Sequence, residues 1–404
     1  MVSLDPSALL NLLALLQLAS WLCSFGLLVM LLLLEIQLGR APRLKPLPPP
    51  EPVGGFLRVV IPAYNEADNI AAAAAAVLAS TGLTLPWQLV VVNDGSNDAT
   101  AQLAQAALAE APAGSEALLL EAGPRPEGER WSGKNWPASC AAALAWPEGE
   151  ADQQWLLFLD ADVRVQPEAI AAALADAQLH RSDLFSLAPR LVCSCLAEWL
   201  VQPIVASLLG LGFPMRRSND PADATAFAAG PFMLFRRSAY EQIGGHRAVA
   251  AEVVEDLALA RRIKGSGLRL RYLLGVDLVD LQMYRSLAAL WEGWTKNWFL
   301  GLDRDAAKTV ASAVVVLGLF AGPWVAALLG AALLPQLLLP AVAGIALLLS
   351  LRLWSWWRFG TPARYWYLSW LGALLIAAIA LTSIWKTSTG RGWTWRGRQL
   401  QAPG

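Results

Sequence analysis

"RVVIPAYNEADNI", from Arg58 to Ile70, and "LVVVNDGSNDAT", from Leu89 to Thr100, decide the fold of this chain. Each is an apolar strand that runs into a loop of short acidic and amide side chains, with Ala-rich helical sequence after it. Two such units in tandem begin a βαβ parallel sheet, and open sheets of this kind bind ligands at the carboxyl ends of their strands. Asn65, Glu66, Asp94 and Ser96 stand at those ends. A nucleotide site is therefore the first expectation.

Outward from this pair the pattern repeats. Leu57 to Ile61, Gln88 to Val92, Ala117 to Glu121, Trp155 to Leu159 and Phe232 to Phe235 read as short strands alternating with helices. That alternation predicts an α/β domain with a mostly parallel sheet over residues 56–286. No repeat of fixed period interrupts it.

The flanks differ in kind. The 404 residues are 56% hydrophobic, too apolar for an ordinary soluble protein, and the excess sits at the two ends. Ala8 to Leu34 holds no charge and exceeds the roughly 20 residues needed to cross a hydrocarbon core. It is too long for a signal peptide, with no basic residue before it and no small-residue cleavage site, so residues 1–38 read as an N-terminal transmembrane anchor. Arg40, Arg43 and Lys45 follow it, which places the next domain in the cytoplasm by the positive-inside rule. Residues 39–55 form a stiff Pro-rich linker.

Past the α/β region, Leu287, Leu290, Trp291, Trp294, Trp298 and Leu302 recur at three-to-four spacing, so residues 287–308 read as an amphipathic helix resting in the membrane interface. The competing possibility is that this stripe packs on its own protein. Three apolar blocks follow, Thr309 to Leu334, Leu337 to Trp357 and Trp366 to Trp385, making residues 309–385 a C-terminal membrane region before a basic tail, 386–404. Three crossings would leave Lys386, Arg391, Arg396 and Arg398 outside, against the charge bias. One segment is therefore expected to be re-entrant or to lie flat, with the tail cytoplasmic.

Several classes are excluded. Net charge is −1 with no dense basic stretch, which argues against nucleic acid as a partner. Cys23, Cys140, Cys193 and Cys195 lack the second pair of a zinc site and read as reduced thiols. Two histidines cannot build a histidine-rich metal centre.

The chemistry rests on carboxylates. "WLLFLDADV" closes a buried strand with Asp160 and Asp162, and period-two alternation points both side chains the same way. Two hard oxygen ligands on one side suit Mg²⁺ or Mn²⁺ held together with a diphosphate. In "AEVVEDLALARRIKGSG", Glu255 and Asp256 open a helix; acids in a first turn already favour the helix dipole, but in a fold of this type one of them is a candidate general base. "GERWSGKN" matches the core of a phosphate-binding loop, yet Asn135 stands where that loop needs Ser or Thr for Mg²⁺.

Taken with "WSGKNWPA", "AAGPFMLFRRSAYEQIGGH", "QMYRSLAALWEGWTKN" and "WRGR", these stretches resemble glycosyltransferase family 2, the inverting enzymes of the A-type glycosyltransferase (nucleotide-diphospho-sugar transferase) fold. The chain is most similar to the membrane-bound hopanoid and carotenoid glycosyltransferases and, more distantly, to ceramide glucosyltransferase. The resemblance implies that Pro62, Ala63, Tyr64 and Glu66 frame the base and ribose and that Asp94 contacts the base. It further implies that Lys134 sits near the nucleotide, Asp160 beside the sugar and Asp162 on the metal, with Asp256 as base and Glu255 beside it. Related enzymes carry a Q/R-x-x-R-W motif; here Gln282 and Arg285 are present, Arg285 facing the diphosphate, but Ser286 replaces the Trp, and Trp291 or Trp294 could substitute. Gly230 and His246 are further acceptor-side candidates.

The expected function is an inverting, metal-dependent transfer of sugar from a nucleoside-diphosphate sugar to a hydroxyl of a membrane lipid, such as a carotenoid, hopanoid or glycerolipid. Few apolar blocks count against the runner-up, a processive polysaccharide synthase. The intact acidic set counts against a silent membrane scaffold.

Overall fold

The computed structural model describes residues 6–46, 55–112 and 116–400. Most of the expected Pro-rich linker (47–54) and the last four residues of the tail lie outside the described residues. The chain forms two units, an α/β unit (Ala41–Val192, Phe213–Met283, Gly392–Gly404) and a helical unit (Met1–Arg40, Cys193–Gly212, Tyr284–Arg391).

In the α/β unit the strands are β1 (Phe56–Ala63), β2 (Trp87–Asn93), β3 (Glu116–Glu121), β4 (Gln154–Leu159), β5 (Val163–Val165), β6 (Leu184–Ala188), β7 (Arg190–Leu191), β8 (Phe232–Arg236), β9 (Leu270–Leu274), β10 (Val279–Leu281), β11 (Trp393–Trp395) and β12 (Arg398–Leu400). Seven make one sheet in the order β3-β2-β1-β4-β8-β6-β9. β1 pairs parallel with β2 and β4, while β8 runs antiparallel to β4 and β6, so the sheet is mixed rather than wholly parallel. All eight residues of β1 are buried, as a central strand covered on both faces requires. One face packs Leu57, Val59 and Ile61 against α2 (Ile70–Leu78) and α5 (Ala169–Leu179); the other packs Val60, Phe158 and Phe235 against α4 (Asn135–Ala142) and α9 (Glu255–Gly265). The remaining helices of this unit are α3 (Thr100–Ala109), α7 (Met215–Asn219) and α8 (Arg237–Gln242).

Arg58 is the exception in β1, a buried cation in an apolar run. Its guanidinium donates to the carbonyls of Ala141 (3.2 Å), near the end of α4, and of Leu144 (3.1 Å) and Ala145 (2.7 Å) just beyond it, and lies 4.1 Å over the Trp146 ring.

The helical unit holds α1 (Pro6–Leu38), α6 (Leu196–Gly212), α10 (Leu287–Gly301), α11 (Ala306–Phe320), α12 (Gly322–Ala332), α13 (Leu338–Phe359) and α14 (Ser369–Ser388). Three stretches are long and apolar enough to cross a membrane, Leu10–Leu38, Pro335–Phe359 and Trp366–Ser388, or four if α11 and α12, bent by 46°, form one span. Two features differ from the sequence reading. α6, expected inside the α/β domain, packs with the apolar helices because it is itself almost wholly apolar: Gly372 of α14 sits so close to it that a Cβ there would fall 2.2 Å from the Leu200 carbonyl. The Trp-lined face of α10 is also turned inward. Leu290, Trp294, Thr295 and Phe299 are buried, Trp294 Nε1 donates to Gln202 of α6 (3.0 Å), and Ser383 of α14 donates to the Thr295 carbonyl (2.6 Å). Of the stripe, Leu290 and Trp294 are buried against neighbouring helices, Trp291, Trp298 and Leu302 are half-buried, and Leu287 is exposed.

Candidate active site

The two loops that open the sequence reading become one surface at the carboxyl ends of β1 and β2. Asn65 adopts a left-handed backbone (φ 52°), a conformation asparagine tolerates better than most residues. Its N–H donates to Ser96 Oγ (3.0 Å), its Oδ1 accepts from the Asn97 N–H (3.0 Å), and the Glu66 N–H donates to Thr100 Oγ1 (2.7 Å). The short amide and hydroxyl side chains of both motifs thus satisfy each other's backbone.

Asp94 is buried beneath this surface. Its carboxylate accepts from Arg125 (3.3 and 2.8 Å) and from Arg398, whose guanidinium also donates to the Asp94 carbonyl (2.7 Å) and lies 3.8 Å over the Tyr64 ring. Burial pushes the Glu66 carboxyl up to about 7, against the pull of Arg396 (2.7 Å) and a hydrogen bond from Asn69 (2.9 Å). Pro62 and Ala63 end β1 and set Tyr64 and Glu66 at its rim.

A tight turn between β4 and β5 presents the second acidic pair, the Val163 N–H donating to the Asp160 carbonyl (3.1 Å). Asp160 pairs with Lys134, which also reaches Glu255 (3.1 Å), so one ammonium ties the strand end to the start of α9. Burial alone would lower the Lys134 pKa, but these two carboxylates outweigh it and hold the ammonium above its ordinary value. Asp162 differs. Its Oδ1 is buried without a hydrogen-bond partner, and burial, with Asp160 and Glu66 adding, pushes its carboxyl well above the usual range. An orphaned carboxylate oxygen beside other acids fits a cation ligand. No group of three or more possible protein ligands occurs among the described residues, so a divalent ion here would need oxygens from a bound diphosphate.

Asp256 stands in the first turn of α9. Its Oδ2 accepts from the Gly230 N–H (3.0 Å) and its Oδ1 from the Leu257 N–H (2.8 Å). Burial, with Glu255 adding and Lys134 opposing, raises its carboxyl to about 6. Gly230 is required at this approach, because a Cβ would meet Asp256 Oδ2 at 2.9 Å. Asn135 braces the same region from below: its Nδ2 donates to the carbonyls of Val249 (2.9 Å), Ala250 (3.1 Å) and Glu252 (2.9 Å), tying the Lys134 loop to the segment that leads into α9.

The α/β unit therefore brings together Tyr64, Glu66, Asp94, Lys134, Asp160, Asp162, Gly230, Glu255 and Asp256, and also Gln282, whose N–H donates to the Asp162 carbonyl (3.3 Å). Arg285, Trp291 and Trp294 belong to the helical unit, where Trp294 is occupied by Gln202. His246 is a packing residue rather than an acceptor-side group: it is buried, bonded through Nδ1 to Tyr240 (2.8 Å) and set edge-on to Phe158, and burial pushes its pKa down to about 3. Arg125, Asn135 and Arg396 escaped the sequence reading as site residues. "WRGR" carried a signal for Arg396 and Arg398 without giving a partner for either, and Arg125 carried none.

Residues 58–244 match the family described as "Glycosyl transferase family 2". Among curated proteins, 4,4'-diaponeurosporenoate glycosyltransferase of Staphylococcus aureus (strain MRSA252) is 26% identical over 277 residues, 68% of each chain, and the same enzyme from strain USA300 is 25% identical over the same share. Solved structures with a similar course include a mannosyltransferase from Pyrobaculum calidifontis with GDP-Man and Mn²⁺ (TM-score 0.48, 18% identity, 91% of this chain and 99% of that one). Another is glucosyl-3-phosphoglycerate synthase from Mycobacterium tuberculosis with Mn²⁺, UDP and its product (TM-score 0.34, 17% identity, 59% and 75%). The family match, resting on the motif-bearing loops, and the apolar helices together make this chain a membrane protein that carries a glycosyltransferase family 2 domain, a nucleotide-sugar glycosyltransferase.

Proposed function

We propose that the protein transfers a sugar, with inversion and with a divalent metal, from a nucleoside-diphosphate sugar to a hydroxyl of a membrane lipid at the cytoplasmic face. The observation that carries this reading is Asp256: a buried carboxyl raised to about 6, held by the Gly230 N–H and joined through the Lys134 network to Asp160. A single displacement needs one base. As the acceptor oxygen bonds to the anomeric carbon and the bond to the diphosphate breaks, Asp256 takes the hydroxyl proton, and its pKa lies near enough to neutrality for efficient transfer.

Lys134 keeps a positive charge next to Asp160, where the sugar would lie, and opposes the negative charge that develops on the leaving group. Asp162, with Asp160, would hold Mg²⁺ or Mn²⁺, which when bound stabilises charge on the departing diphosphate. Arg285 and Gln282 are assigned to the diphosphate side, and Tyr64, Glu66 and Asp94 to the nucleoside. The basic residues after α1 support the cytoplasmic placement. A lipid acceptor is supported by the apolar helices and by relatives named for a diaponeurosporenoate acceptor.

Two measurements test the reading. Purified full-length protein with Mn²⁺ should slowly release nucleoside diphosphate from one sugar donor. Mass spectrometry of membrane lipids from cells with and without the protein should show one lipid gaining the mass of a hexose. An unchanged lipid profile together with a lengthening soluble polymer would overturn the lipid acceptor.

A further inference from the structure

The turn of the C-terminal hairpin carries an arginine where turn chemistry asks for asparagine or glycine. β11 and β12 pair Trp395 with Arg398, so Arg396 and Gly397 form a two-residue loop, and both are left-handed, with φ of 49° and 82°. This is the primed geometry that matches strand twist, and Asn-Gly is its preferred filling. A left-handed residue that is neither glycine nor asparagine is a reason to ask what its side chain does. Here the guanidinium of Arg396 donates to the Asn65 carbonyl (2.7 Å) and meets Glu66 (2.7 Å), while Arg398 lies on Tyr64 and Asp94. Two arginines from one turn thus converge on the two motifs assigned to the nucleoside.

We propose that Arg396 and Arg398 are donor-binding residues: the base of the donor takes the place that Arg398 holds on Tyr64 and Asp94, and the two guanidiniums turn onto the diphosphate. The proposal rests on the nucleotide-sugar reading of the same site. Both oxygens of the Asp94 carboxylate are engaged and its side chain is 1% exposed, so a base cannot hydrogen-bond to it until a guanidinium leaves. Arg125 is fixed a second way, donating to the Gly133 carbonyl (3.4 Å). Arg398 stands on a three-residue strand with a single neighbouring strand, the easier group to move. Released, a guanidinium offers a planar fork of donors that matches phosphate oxygens.

Calorimetry on the full chain in detergent, with Mn²⁺ and with UDP, GDP and their nucleosides, tests this. Arg396→Ala and Arg398→Ala should each weaken the nucleoside diphosphate that the wild type binds by at least tenfold. Uridine or guanosine, read by competition, should bind no more weakly than before in either variant, because Arg398→Ala vacates its seat and Arg396 does not occupy it. Arg398→Lys should recover part of the loss. If diphosphate and nucleoside weaken alike, the hairpin only props the fold and the proposal fails. It fails equally if diphosphate binding is unchanged, or tightens in Arg398→Ala, which would make the hairpin a mere plug. A wild type that binds neither diphosphate would sink the nucleotide-sugar reading itself; a wild type that binds one, beside indifferent variants, sinks the hairpin alone.

Discussion

Asp256 is the residue on which the chemistry turns. Replacing it with Asn keeps the shape, and its one carbonyl oxygen can still accept from either Gly230 or Leu257, so donor binding should persist while transfer falls by about 10²–10⁴, the range of a lost general base. Nucleoside-diphosphate binding and lipid-linked product, measured on one preparation, separate the two effects; transfer at the wild-type rate would refute the assignment. The pH dependence follows from the same side chain. A base works when ionised, and this carboxyl is raised to about 6, so kcat should climb as pH passes through 6 and level off toward 8. The Glu255 carboxylate beside it helps keep it raised, while Lys134, which also reaches Glu255, opposes. Gly230→Ala should lower kcat more than donor affinity, since the new Cβ would press on Asp256 Oδ2 and not on the nucleoside residues. A steady-state split of kcat against donor KM reads this directly.

At the scale of elements, Arg58 shows how a central strand carries a charge. Arg58→Leu would take the guanidinium from the Leu144 and Ala145 carbonyls just beyond α4, and a loss of about 2–3 kcal/mol is expected, seen as a lower thermal midpoint of the detergent-solubilised protein. β1, β2, β3, β4 and β8 are legible in the sequence to within two residues because each is an apolar run buried on both faces or bounded by turn residues. β6 and β9 are short, and their pairing joins residues some eighty positions apart, so their place depends on the sheet already present. The reversal of β8 has no local signal. The site divides the same way. Acids at strand and helix ends are visible as residue types, whereas the cations on Asp94 come from distant positions: Arg125 from the loop after β3, Arg398 from β12. Asn135 misled as part of a phosphate-loop pattern, and its real work, three carbonyls on one amide nitrogen, needs tertiary structure to be seen.

For the whole molecule, the path of the chain bears on how many apolar helices are expected to cross a membrane. α1 and α13 run parallel: Ser24 donates to the Pro340 carbonyl (2.8 Å), and fourteen or more residues further along α13, Trp354 (2.7 Å) and Arg358 (3.2 Å) donate to Glu35. If α1 and α13 both cross, Phe359 leaves the membrane on the face where Leu38 leaves it. Residues 360–365 then reach at most about 21 Å even if fully extended, short of the roughly 30 Å hydrocarbon core, so α14 starts on that face too. Its far end is followed by β11 and β12, whose arginines contact Asn65, Glu66 and Asp94 of the α/β unit. If α14 crossed, the hairpin would lie on the wrong side of the bilayer for those contacts. α14 is long and apolar enough to span, yet we expect it to lie along the membrane, its polar Ser383 spent on α10. An epitope tag in the exposed turn at Gly82 and another after Gly404 should both resist protease added to right-side-out vesicles, and both should be cleaved in inverted ones. Cleavage of the C-terminal tag alone from the outer side would show that α14 crosses, and would detach the hairpin from the site it is built to reach.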